Sequence, residues 1–297
     1  EMSASLVGSE MCIRDSAYMA GAEYEKGGKN GGMMPGSLCS MWCSIDWKKW
    51  RANRPDMPQP QSFKVREAFE AGVFSFYDPH MTGILEIGDG LGGGNIGHAF
   101  GVDGTDEDSV TRALLHCRKS MREYKNYYNK YLPGFENAKV AATGSAMGIR
   151  ETRRFVGDYV LNIDDYMKRA VFDDEIGRYA YPIDIHPSGF KGGELEKHRM
   201  EFDRLYKYAK GESYGIPYRI LTPKGFSNLY VAGRCASMDR LVHGSLRVMP
   251  GCFIMGQAAG IGASIAAASK TSVHEIDTRE LQKKLIKFGA YLPNFKA

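Results

Sequence analysis

Between Asn228 and Ser269 the chain gathers residue types that can hold a ligand. Asn228–Ala232 reads as a short buried strand, and Gly233 stops it, so the backbone turns sharply where a bound group can come close. Met255-Gly-Gln-Ala-Ala-Gly260 then reads as the opening of a helix built almost wholly from small residues. The first N–H groups of a helix have no partner within it and carry about half a positive charge. A helix beginning at Gly256 therefore suits an anion, or a ring that gains negative charge on reduction. The same small residues equally suit a close-packed contact between a helix and a sheet.

His243 and Arg247 fall in the linker between the Gly233 turn and the Gly256 helix. If those elements flank a reactive group, His243 can move a proton there; otherwise it is a loop histidine hydrogen-bonded to backbone. Arg150, Arg153 and Arg154 are spaced i, i+3 and i+4 and share a face if that stretch is helical. Such a face grips a carboxylate or phosphate, while Glu151 and Asp158 offer the alternative of a structural ion network. His186 closes the Tyr181–Ile185 segment, either as a site residue or as a turn residue before Pro187.

The elements that must position these residues are read from periodicity and punctuation. Val110, Leu114, Cys117, Met121, Tyr124 and Tyr128 recur every three or four residues, one face of a helix that starts at Thr105-Asp106 and ends at Pro133-Gly134. Leu38–Ile45, Tyr159–Ile163, Tyr181–Ile185 and Gly215–Leu221 read as strands, Pro182 and Pro217 pointing to edge positions. Phe63–Val73 has helical spacing, and Arg51–Gln61 is loop because of Pro55, Pro58 and Pro60. Glu194–Lys210 reads as a charged surface helix, and a last helix begins at the Asp277-Thr-Arg-Glu280 capping box and ends at Gly289. Gly88–Gly101 reads as a Gly-rich surface loop near the substrate. Its Gly88-Asp-Gly-Leu-Gly-Gly93 satisfies GxGxxG, but Asn95–Gly101 does not continue as an amphipathic helix.

The 297 residues are 43% apolar and 25% charged, with a net charge of +4. This is ordinary globular composition, and the balance is too small and too mixed for nucleic-acid binding. A mean hydropathy of −0.36 and the lack of an apolar run near ~20 residues argue against a membrane span. Six cysteines in this length do not make a disulfide scaffold. Cys235 and Cys252 lie 17 positions apart, without a dithiol spacing, and read as small buried residues. No metal motif is visible. Leu6–Ser16 resembles the in-frame translation of a transposon-type sequencing adapter. On that resemblance residues 1–16 are set aside as non-native, and the native chain is expected to begin near Ala17 inside a longer reading frame.

Several segments in order carry a family resemblance: Ala17–Gly27, Gly101-Val-Asp-Gly-Thr-Asp106, Pro133-Gly-Phe-Glu-Asn137, and Gly148-Ile-Arg-Glu-Thr-Arg-Arg154 with Gly157-Asp-Tyr-Val-Leu161. Tyr181-Pro-Ile-Asp-Ile-His186, Ile216-Pro-Tyr-Arg219, Asn228–Cys235 and Ser245-Leu-Arg-Val-Met-Pro250 follow. From Ala17 to its end the chain resembles the FAD-dependent oxidoreductase family distantly related to the heterodisulfide reductase A subunit. The resemblance implies an α/β to α+β fold: a Rossmann-like FAD domain in two pieces with an inserted mixed α+β substrate domain. The expected layout is residues 17–30 as the end of the first FAD piece, 31–225 as the substrate domain and 226–297 as the second FAD piece. The resemblance implies a strand–GxGxxG–helix in the first piece, which is expected to lie upstream of Ala17. The resemblance makes FAD the cofactor, hydride or two-electron transfer the chemistry, and a small polar substrate and an electron acceptor the partners. Gly233, Arg234, Ser237, Pro250, Gly256, Gln257, Ala258, Ala259 and Gly260 are the expected FAD contacts, and His243, Arg247 and Arg153 the expected catalytic, substrate-side residues. Many relatives carry histidine where this chain has Arg240, after Asp239. The family tie also raises an iron–sulfur cluster, for which Cys39 and Cys43 are too few ligands. The cytoplasm is the expected compartment. The competing expectation is a non-enzymatic ligand- or protein-binding domain without flavin.

Overall fold

The computed structural model describes residues 5–7, 13–28, 31–57, 60–78, 83–189 and 207–296. The chain forms two compact units, one of residues 1–33 with 151–297 and one of residues 34–150. It enters the first with β1 (Ser5–Val7), α1 (Ile13–Met19) and β2 (Tyr24–Lys26). β1 runs parallel to the later strand Leu229–Val231, in register from Ser5–Leu229 to Val7–Val231. Part of the segment set aside from the sequence thus has a place in the fold. A buried three-residue strand leaves edge N–H and C=O groups that need a ladder partner, and β1 provides it.

The unit of residues 34–150 contains β3 (Gly36–Cys43), α2 (Trp47–Asn53), α3 (Val65–Glu70), β4 (Ile84–Gly88), β5 (Leu91–Ala99), α4 (Glu107–Tyr131) and β6 (Lys139–Thr143). Its four strands form one antiparallel sheet in the order β4-β5-β3-β6. The predicted long helix is α4. Asp106 caps it by accepting the Asp108 N–H, and Cys117, Met121, Tyr124 and Tyr128 of the predicted face are buried. Trp42 of β3 meets Tyr128 edge-on at 5.2 Å between ring centroids, so helix and sheet share one aromatic core. Asp46 caps α2 by accepting the Lys49 N–H, which makes Arg51–Asn53 the last turn of a helix and starts the predicted loop at Arg54.

The Gly88–Gly101 loop reading is corrected. These residues are the end of β4, a turn at Asp89-Gly90 and the whole of β5. The glycines are there because the sheet is closely covered: a Cβ on Gly92 would stand 2.4 Å from Ile84 Cγ2 and 2.8 Å from Ile45 Cδ1. The GxGxxG match therefore sits in an antiparallel hairpin, not in a strand–loop–helix.

The other unit continues with β7 (Arg153–Phe155), α5 (Ile163–Lys168), β8 (Glu175–Tyr179), β9 (Tyr214–Pro217), β10 (Leu229–Val231), α6 (Arg240–Leu246), α7 (Met249–Ser269) and α8 (Thr278–Lys287). Among the described residues its strands pair as β1-β10, β2-β7 and β8-β9, and the first pair is parallel. Two predicted strands fail. Tyr159–Ile163 gives way to a capping box, in which Asn162 accepts the Asp165 N–H and Asp165 accepts the Asn162 N–H, so α5 starts at Ile163. Tyr181–Ile185 joins no ladder among the described residues; Pro182 lacks an N–H, and the strand is β8, just before it. Gly215–Leu221 is strand only to Pro217 and then a 3-10 turn over Tyr218–Ile220. In the predicted helix 194–210, residues 194–206 lie outside the described residues.

Tyr166, Tyr214, Ile216, Tyr218 and Tyr230 pack with Met255, Ala258 and Ala259 of α7 in the main core of this unit. That packing joins residues 151–225 to the C-terminal segment, so the compact unit 34–150 is shorter than the expected span 31–225. Among the described residues α7 is the one helix long and apolar enough to cross a membrane, yet its Met255, Ala258, Ala259 and Ile265 are buried in this core. Asp277 caps α8, accepting the N–H groups of Arg279 and Glu280.

Candidate functional site

β10 is buried along its length and delivers the chain into Gly233, whose φ of 74° is the left-handed conformation that glycine adopts freely. A 3-10 turn over Gly233–Cys235 follows. The Ser237 N–H then bonds Ile220 O, and its buried Oγ has no hydrogen-bond partner among the described residues. The expected linker is a helix: Asp239 Oδ1 accepts the Val242 N–H and starts α6, while Asp239 Oδ2 accepts the Ile163 N–H. Asp239, three residues before Val242, is the signal that sequence reading missed.

His243 lies on α6, fully buried, with Nε2 3.1 Å from Arg234 O. A carbonyl only accepts, so Nε2 carries the proton and ties α6 to the Gly233–Cys235 turn. This is the backbone-bonded geometry of the simpler reading, although on a helix and not on a loop. The thiols of Cys235 and Cys252 lie 3.2 Å from Ala232 O and Arg247 O; Cys235 is buried as expected, whereas Cys252 is only half-buried.

The helix start at Gly256 is corrected. α7 begins two turns earlier at Met249, with Pro250 in its first turn, and the Cys252 N–H already bonds Val248 O. Gly256, Gln257, Ala258, Ala259 and Gly260 are interior positions whose N–H groups belong to the helix ladder, so they offer no free donors to an anion. Pro250, which needs no helical N–H partner, was the available signal. The small residues instead serve two faces. A Cβ on Gly251 would stand 2.5 Å from Leu246 O and one on Gly262 3.0 Å from Tyr230 Oη, while Ala258 and Ala259 are fully buried. Gly256 and Gly260, one turn apart, would meet nothing within 4 Å. One face packs on the core; the other is bare backbone facing open space.

The shared arginine face is also corrected. Arg153 and Arg154 are neighbours on strand β7, which sends them to opposite sides. The Arg153 guanidinium stands 4.0 Å from the centroid of the Tyr18 ring and 5.4 Å from that of Tyr24, a cation–π stack. Arg154 reaches Gly27 O at 3.1 Å and Glu151 Oε2 at 3.6 Å, and fully buried Glu151 also accepts from Arg240 at 2.9 Å. The structural ion network thus exists around Glu151. Asp158 instead accepts from Thr222 Oγ1 and pairs with His274. Arg150 belongs to the other unit, where it donates to Pro35 O and Ser37 Oγ.

Arg247 and His186 converge on one carboxylate. Arg247 Nη2 lies 2.8 Å from both Asp184 O and Asp184 Oδ2, and His186 Nε2 lies 3.3 Å from Asp184 Oδ1. Both side chains are more than nine-tenths buried, Asp184 is 40% exposed, and the buried Arg247 Nε has no hydrogen-bond partner among the described residues. Beside them Ser245 Oγ bonds Tyr181 O and Tyr214 Oη; burial pushes the Tyr214 hydroxyl well above its ordinary pKa, so it stays neutral. Among the described residues no three His, Cys, Asp or Glu side chains gather as a metal site.

The mixed α/β chain with several small sheets is consistent with an FAD oxidoreductase domain. The model of the FAD dependent oxidoreductase family matches residues 15–285, and the chain belongs to that family. FAD is accordingly its cofactor and oxidoreduction its general chemistry. No curated protein and no solved structure matches the chain.

Proposed function

We propose that Gly233, Arg234, Ser237 and the bare Gly256–Gly260 face of α7 hold FAD, and that Arg247, Asp184 and His186 form the side that meets a small polar substrate. The observation that carries this reading is the pairing of a left-handed Gly233 turn with a helix, packed on that turn, whose Gly256 and Gly260 face open space. The residues fit the group: Ser237 Oγ supplies a buried polar atom without a partner among the described residues, and backbone without Cβ atoms admits a flat ring. When bound, FAD accepts a hydride or two electrons. Arg247 binds and orients an anionic or polar substrate through its fork, with Asp184 fixing that fork. His243 is a positioning residue that holds Arg234 O and so fixes the turn. Residues 34–150 serve as the core of an inserted substrate domain, because the segments before and after them return to one compact unit.

Titration of the full chain with FAD, followed by quenching of flavin fluorescence, tests this. Gly256→Val is expected to weaken FAD at least ~10-fold by filling the approach to the helix, the equivalent of about 1.4 kcal/mol. Gly256→Ala is expected to raise unfolding stability by roughly 0.5–1 kcal/mol without FAD, since open space removes any steric objection and Ala is the better helix former. Unchanged FAD affinity in Gly256→Val would remove the α7 face from the site. Failure of the chain to take up FAD would favour the non-enzymatic binding domain.

A further inference from the structure

In the unit of residues 34–150, the end of β5 and one face of α4 enclose a cleft of about 290 Å³, near the lower limit for small-molecule pockets. Its walls are Phe76, Phe100, Val102 and Ala113, with the rings of Phe76 and Phe100 tilted to one another at 5.7 Å. Arg112 and His116, four residues apart on α4, stand on the same side of it. Among the described residues no carboxylate lines the cleft. The nearest acidic partner of Arg112 is Asp106 at 3.7 Å, and the Arg112 side chain is 70% exposed, so this pair is loose and open to competition.

An aromatic slot beside two nitrogenous side chains, with no acid among its described lining residues, selects for one chemistry. We propose that this cleft is a binding site for a small organic anion with a flat apolar body, an aryl or arylalkyl carboxylate, whose ring lies against Phe76 and Phe100 and whose carboxylate meets Arg112 and His116. The apolar part supplies burial, and the Arg112 fork supplies direction. The sequence carried little of this signal, because Phe76, Phe100 and Arg112 are brought together by the turn at Gly101, whose φ is 67°.

The test uses the full chain with phenylacetate and its neutral counterpart 2-phenylethanol as probes, read by saturation-transfer NMR. Phenylacetate is expected to bind with a Kd on the order of millimolar, as a fragment of this size allows. Arg112→Met is expected to weaken it by about tenfold and to leave 2-phenylethanol unchanged. Phe76→Ala is expected to weaken both probes. The Arg112 side chain is 70% exposed and Phe76 43%, so circular dichroism should show unchanged folding. Equal binding of the two probes, no binding of phenylacetate, or unchanged phenylacetate affinity in Arg112→Met would each overturn the proposal. FAD uptake measured in parallel separates this site from the flavin reading, because the proposed FAD residues all belong to the other unit and Arg112→Met should not affect them.

Discussion

Glu151→Gln is expected to lower the stability of its unit by about 3 kcal/mol, the lower end of the roughly 3–5 kcal/mol lost when one partner of a buried ion pair is removed. The Glu151 side chain is fully buried between Arg154, 3% exposed, and Arg240, 29% exposed. Glutamine keeps the shape but leaves the Arg154 guanidinium charged and without its buried carboxylate. Arg240 can turn towards water, which is why the lower end of the range applies. Far-UV circular dichroism in urea measures the loss. The three tryptophans of the chain, Trp42, Trp47 and Trp50, all lie in residues 34–150, so their emission serves as an internal control that should not shift. A loss below about 1 kcal/mol would mean that the network is solvated and contributes no more than a surface pair. The consequence for function runs through α6. Arg240 is its first residue, and His243 one turn later holds Arg234 O, so loosening Glu151 should also weaken FAD.

The parts of the fold that were legible in the sequence are those specified locally. α4 is legible because its burial follows its own spacing and Asp106 caps it, and the Gly233 turn because a β-branched and aromatic run ends at a glycine. The start of α7 is not legible from its small residues, which have no periodicity to read; Pro250 marks it, although the same proline also closes the Ser245–Pro250 family segment. The arginines at 150, 153 and 154 show the opposite failure. Their spacing is meaningful only on a helix, and the local conformation is a strand whose partner, β2, lies some 130 residues earlier in the chain. Of the Arg247–Asp184–His186 cluster the sequence offers Arg247 and His186 as separate candidates and Asp184 not at all, because a contact across 63 residues has no sequence signature. What the structure changes is which atoms are free to act: Gly256 offers open space in place of N–H groups, and His243 holds backbone.

Gly92→Val is expected to destabilise the unit of residues 34–150 by about 3 kcal/mol, the upper end of the usual cost of overpacking. A single Cβ at Gly92 already falls 2.4 Å from Ile84 Cγ2, 2.8 Å from Ile45 Cδ1 and 3.3 Å from the Trp47 ring. Ile84, Ile45 and Trp47 are buried, so none can move aside without opening the core elsewhere. Gly93 is the control. It faces the other side of the sheet, where a Cβ would stand 3.2 Å from Cγ2 of Ile87, a side chain 55% exposed and able to turn away. Gly93→Ala should therefore change stability by less than about 1 kcal/mol, within the range of surface substitutions. Tryptophan emission in urea reads both variants directly, since Trp42 and Trp47 lie in the affected core. The contrast between neighbours is the decisive result. A flexible glycine loop would tolerate valine at 92 as readily as alanine at 93, whereas alternation of cost along the chain is the property of a strand with one covered face. Equal, small effects at both positions would restore the loop and remove the wall that β5 gives to the Phe76–Phe100 cleft.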